Sequence, residues 1–140
     1  MTHVVLAAGD LAPDRDDYDE SYVATRDVLR AADISFGQLE TSFATKGVRL
    51  PQARHAVLAR PDGADALARA GFDIISMAGN HVLDWGNDAF FETKANLERA
   101  GMKVVGAGAD IAEARRPVVT TLGDGTRVAM LAYSSILPHS

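Results

Sequence analysis

One apolar run bounded by glycine-bearing turns does most to limit the folds open to this chain. Ala70-Gly71-Phe72-Asp73-Ile74-Ile75-Ser76-Met77-Ala78 reads as a buried strand, Gly79 to Trp85 as a polar turn, and Gly86-Asn87-Asp88 as the start of a helix. Strand, turn and helix in that order belong to an α/β sheet, where ligands gather beyond the carboxyl ends of the strands. The turn puts an amide, an imidazole and a carboxylate there. Asn80 offers a neutral oxygen, His81 a nitrogen that ligates or donates a proton, and Asp84 a partner able to fix the imidazole tautomer. Such a set suits metal-assisted hydrolysis. Spacing alone leaves a plainer reading open, in which Asp84 caps the next helix and His81 is a satisfied turn histidine.

The rest of the chain alternates in the same manner. Strand Val4 to Ala8 precedes an acidic loop, Asp10 to Asp19, and a helix from about Glu20 to Ala32, expected from the spacing of Tyr22, Val23, Arg26, Val28 and Leu29. Strand Ile34 to Gly37 follows. Asp62 is expected to cap a helix running to Ala70, with Gly71 as its stop. Helix Asp88 to Ala100 carries Phe90, Phe91, Ala95, Leu97 and Ala100 as a core stripe, and Gly101 ends it. Strand Lys103 to Val105, a short helix Asp110 to Arg115, and strands Val118 to Leu122 and Arg127 to Tyr133 complete the order. Gly123-Asp124-Gly125-Thr126 between the last two is a hairpin signal.

Several segments invite chemistry and mostly resist it. Asp14, Asp16, Asp17 and Asp19 lack the Gly and terminal Glu that a calcium loop needs, so they read as a solvated face. Gly106-Ala107-Gly108 lacks the third glycine of a dinucleotide fingerprint, since Ile111 stands in its place. The long irregular stretch from Thr41 to Arg60 holds Lys46, Arg49, Arg54, His55 and Arg60. It reads either as a cover that steers an anionic substrate or as an ordinary solvated loop. Trp85 is expected to pack against the sheet, and His139 to be a tail residue.

Composition sets the outer bounds. A chain of 140 residues with 47% hydrophobic content supports one domain with a modest core, spanning 1–140. A net charge of −5 and a pI near 5.2 argue against nucleic acid as a partner. With no cysteine, disulfides and thiolate metal sites are excluded, and any site is built from oxygen and imidazole ligands. The start Met1-Thr2-His3 leads directly into a strand, and no apolar stretch reaches membrane-spanning length, so a cytoplasmic chain that is not a membrane protein is expected.

Read together, Gly9-Asp10 after the first strand, Gln38-Leu39-Glu40-Thr41 after the second, and Gly79-Asn80-His81-Val82-Leu83-Asp84-Trp85-Gly86 resemble a known signature. They are similar to the CapA-type poly-γ-glutamate capsule biosynthesis proteins, a branch of the calcineurin-like metallophosphoesterases. Leu97 to Gly108 and Glu113-Ala114-Arg115-Arg116-Pro117 extend the likeness over nearly the whole chain. Two departures stand out, Gln38 where the family has Asn and Gly79 where it has the first Asn of an Asn-Asn-His turn.

The resemblance implies an α/β layered metallophosphoesterase-like fold, a mostly parallel sheet flanked by helices with a terminal β-hairpin. It also implies that the fold is incomplete at the C-terminus, because family members are longer and carry further His-containing motifs. A site of two divalent ions follows from it, with Glu40 bridging, Asp10 on one ion and Asn80 on the other. Manganese, iron, zinc and magnesium all suit these donors. His81, oriented by Asp84, is implied as ligand or proton donor, and the ions as the means of acidifying a water. The expected activity is hydrolysis of a phosphoester or of an amide bond in a polyglutamate-like substrate. A missing segment, a partner chain or self-association would complete the sheet and site. The alternative is a non-catalytic subunit that binds a partner chain or an anionic polymer.

Overall fold

The computed structural model describes residues 2–136, so His139 lies outside the described residues. Four strands form a parallel sheet in the order β1-β2-β5-β6: β1 (Val5–Leu11), β2 (Ile34–Leu39), β5 (Ile74–Ser76) and β6 (Lys103–Val105). Parallel neighbours need crossovers, and the helices α1 (Arg26–Arg30), α2 (Asp62–Ala70) and α3 (Gly86–Arg99) lie in those connections. β5 is buried along its whole length, as the continuous apolar run requires of an interior strand with both faces covered.

The two faces of the sheet are covered differently. On one, Leu39, Ile75 and Met77 pack with Leu29 of α1, Leu67 of α2 and Leu97 of α3. Leu67 and Leu97 are fully buried, which contributes about 1.5–3 kcal/mol each relative to exposure. On the other face, Ile34, Ile74 and Val105 meet Leu122 and the inward residues Val118, Val128 and Met130 of a hairpin. That hairpin, β7 (Val118–Thr121) with β8 (Arg127–Met130), is antiparallel and stacks on the sheet as a two-stranded layer of its own. Its side chains alternate between half-buried and exposed, the period of a strand covered on one side only.

Four local expectations change. The stretch from Glu20 to Ala32 is a 3-10 turn at Asp19–Tyr22 followed by the short α1, because Val23 and Val28 are more than half exposed and only Tyr22 and Leu29 are buried. Asp62 is the first helical residue, not the cap; the cap position is Pro61, and the Asp62 carboxylate pairs with Arg60 at 3.2 Å. On α3 the fully buried stripe is Ala89, Thr93 and Leu97, while Phe91 is exposed. Asp19 is tied to Arg69 by two hydrogen bonds of 2.7 and 3.0 Å, which anchors the acidic loop to α2. The Thr41 to Arg60 stretch contains a short parallel pair, β3 (Ser42–Phe43) with β4 (Leu58–Ala59). Among the described residues no helix is long and apolar enough to cross a membrane. The helix α4 (Ile111–Ala114) is capped by Asp110, whose carboxylate accepts the Glu113 N–H at 2.8 Å.

Candidate functional site

Three adjoining strands end at one edge of the sheet, and the expected donors follow them there, Asp10 with β1, Glu40 with β2, and Asn80 and His81 with β5. The β1–β2 register is irregular between Ala8 and Leu11, and within that irregularity Asp10 takes a left-handed backbone with φ of 51°. A side chain other than glycine rarely adopts that conformation, and bulges of this kind re-aim residues beside active sites. Glu40 follows β2 directly, its N–H donating to the Leu11 carbonyl at 3.0 Å, so it stands beside the end of β1. Asn80 and His81 lie on the half-buried turn after β5.

Electrostatics show which of these groups are neighbours. Burial pushes the Glu40 carboxyl above its ordinary range, the His81 ring pulls it down, and the charges of Asp10 and Asp84 push it further up. A hydrogen bond from the Gln38 amide favours the charged form. Asp10, Glu40, His81 and Asp84 therefore share one locality, although they are dispersed over 75 positions of sequence. The Asp84 carboxylate, 3% exposed, meets His81 Nδ1 at 2.7 Å. This is the contact that sets an imidazole's tautomer and orientation, so Asp84 is not free to serve as the helix cap of the plainer reading. The cap position of α3 is Trp85, with no side-chain cap.

The loop expected as a cover is stitched to the same turn. Val48 N–H donates to the Trp85 carbonyl at 3.1 Å and Leu50 N–H to the Asp84 carbonyl at 2.8 Å. Arg60, counted in that loop's basic set, is engaged elsewhere: it binds Asp62 and the Asp16 carbonyl and lies 4.7 Å from the Tyr18 ring centre. Trp85 is half-buried, and its indole N–H is a buried donor with no hydrogen-bond partner among the described residues.

Gln38 and Gly79, the two departures from the family pattern, shape the site. A Cβ at Gly79 would stand 2.5 Å from Gln38 Nε2 and 2.9 Å from Glu40 Oε1, so the turn can approach the carboxylate only because residue 79 has no side chain. As to metal, the Glu40 carboxylate with the Asp10 charge beside it, an amide oxygen and an oriented imidazole fit a hard divalent ion in kind. In number they fall short. Among the described residues no three His, Asp or Glu side chains are grouped so as to hold an ion.

Comparison with known proteins identifies the family. The family model described as Bacterial capsule synthesis protein PGA_cap matches residues 4–140. A protein named "Probable polyglutamine synthesis accessory protein" from Mycobacterium tuberculosis (strain ATCC 25618 / H37Rv) is 34% identical over 113 residues, covering 79% of this chain and 30% of the relative. An uncharacterized protein of Sinorhizobium fredii (strain NBRC 101917 / NGR234) is 34% identical over 116 residues, covering 78% of this chain and 24% of the relative. The chain thus spans less than a third of the length of these relatives. With the strand-end arrangement of Asp10, Glu40 and the Asn80-His81 turn, the match over 4–140 means that this chain belongs to the bacterial capsule synthesis protein family.

Proposed function

We propose that the chain forms part of a metal-dependent hydrolase serving capsule or polyglutamate synthesis, acting on a phosphoester or on an amide bond of an anionic, polyglutamate-like substrate. Asp10, Glu40, Asn80 and His81 are its share of the ligands, and a segment or partner chain outside residues 1–140 supplies the remainder. One observation carries this reading. Glu40 is driven toward its neutral form by burial and by Asp10, a cost that a bound cation would remove. When bound, a divalent pair supplies Lewis acidity and acidifies a water.

The chain's own residues do the rest. Asp84 accepts from His81 Nδ1 and so assigns the lone pair to Nε2, the atom that ligates or passes a proton to a leaving group. Gln38 holds the Glu40 carboxylate, and Gly79 lets the turn close on it. The loop bearing Lys46, Arg49 and Arg54 is tied to Asp84 and Trp85, which places positive charge where an anionic substrate approaches.

A second reading, a non-catalytic accessory subunit, is favoured by the lack of any three-ligand group among the described residues. Elemental analysis separates the two. Stoichiometric manganese, iron or zinc that falls in Glu40→Ala and His81→Ala supports the hydrolase; a folded wild-type chain without metal, alone and with its full-length counterpart, supports the subunit.

A further inference from the structure

The turn that carries Asn80 and His81 has a second side. Behind it lies a cleft of about 210 Å³, walled by Met77, Val82, Leu83 and Phe90 on one flank and by Ala114 and Ala132 on the other. Its lining is apolar except for Ser134, the Tyr133 hydroxyl and a single charged group, Arg115. Arg115 is exposed, and among the described residues its side chain makes no hydrogen bond or ion pair, a state that it shares with Arg26, Arg54, Arg116 and Arg127; it alone of these lines the cleft. At the rim, Ile111, Tyr133 and Ile136 are 65%, 66% and 61% exposed. Gly79 belongs to the cleft wall and also to the contact with Glu40, so the cleft adjoins the candidate ligands.

We propose that this cleft binds the short aliphatic portion of an anionic small molecule, with Arg115 gripping its carboxylate or phosphate at the rim. The volume is below the ~300–1,000 Å³ usual for drug-sized ligands, which limits the occupant to a chain of a few carbons. The Arg115 guanidinium, the charged group of the lining, selects the sign of the head group, and its planar fork suits both kinds of oxyanion. The proposal rests on the hydrolase reading for the ligand's role as a substrate, and on the cleft alone for its binding.

The test titrates the metal-free chain with hexanoate, monohexyl phosphate and neutral hexanol, following the methyl resonances of Val82, Leu83 and Ala114. The anions are expected to bind at least about tenfold more tightly than hexanol, the value of one charge-assisted contact. Either anion doing so supports the proposal, and the tighter names the head group. Arg115→Gln should bring the anions to the level of hexanol, while Ala114→Phe should remove binding of all three. Equal affinity for anions and alcohol, binding that survives Ala114→Phe, no saturable binding by folded protein, or a cleft closed by a second copy in sedimentation overturns it. Because no metal is added, failure of the hydrolase reading shows in metal content and turnover and failure of the cleft shows here.

Discussion

Gln38 occupies the volume that a side chain at position 79 would need: its Nε2 lies 2.5 Å from where a Cβ on Gly79 would be. The two departures from the family pattern are thus one exchange in space, a longer amide on the end of β2 facing a shorter residue on the turn after β5. Gly79→Asn alone should destabilise the fold by about 1–3 kcal/mol through overpacking. The double variant Gln38→Asn, Gly79→Asn should recover most of it. Urea unfolding of the two singles and the double measures the coupling, and additive effects would sink the pairing.

Asp10 sits in a backbone conformation that favours glycine. Asp10→Gly and Asp10→Ala remove the same carboxylate, so both should lower metal binding alike. They should differ in stability, with Gly the more stable by about 1 kcal/mol because a Cβ is disfavoured there. Equal thermal midpoints for the two would show that the strain at residue 10 is not felt.

His3 joins the start of β1 to the hairpin turn, meeting Asp124 at 2.8 Å and Asp33 at 3.7 Å. The hydrogen bond to Asp124 raises the His3 pKa, against a smaller lowering by burial. Its contribution is therefore complete below the unfolded value near 6.5 and disappears as pH rises through the higher folded value. Asp124 is lowered to about 2, first by the Thr126 N–H, so its contribution is lost only as pH falls toward that value. Wild type should melt above His3→Gln at pH 5.5, and the two should converge above pH 8. A gap that persists at high pH would contradict the ionic reading.

Gly63, in the first turn of α2, faces the fully buried Phe43 ring, and a Cβ there would come within 2.2 Å of its Cε1. Helix propensity favours Ala over Gly by about 1 kcal/mol. The ring is confined by the core, so overpacking should win and Gly63→Ala should lose about 1–2 kcal/mol net. A stabilised variant in denaturant unfolding would show that Phe43 can move aside.

What could be read in advance followed from local chemistry. β5 announced itself by an apolar run between turns, α2 by the glycine that stops it, the hairpin by Gly123 to Thr126, and the neighbourhood of Asp10, Glu40 and His81 by their places just after strands. Misreadings arose where tertiary packing chose among similar local options. Val23 and Val28 have helical spacing with Tyr22 and Leu29 but face water, so one expected helix became a turn and a short helix. The helix starts one residue earlier than the cap pattern suggested, so Pro61 holds the cap position and the Asp62 carboxylate, already inside the first turn, pairs with Arg60. The β3–β4 pair is two residues long, too short to show a period. Contacts such as Gln38 with Gly79, or His3 with Asp124 across 121 positions, exist only once the sheet has brought distant segments together.

The candidate donors have no common loop. Asp10, Glu40 and the Asn80 turn ride on β1, β2 and β5, strands joined by one ladder of interstrand hydrogen bonds. β1 is the outermost of these strands, with exposed residues along most of its length. Anything that grips all three donors at once therefore acts as a rivet on this margin of the sheet. Amide hydrogens of β1 and β2 would then exchange more slowly with solvent, while those of the β7–β8 layer would keep their own pace.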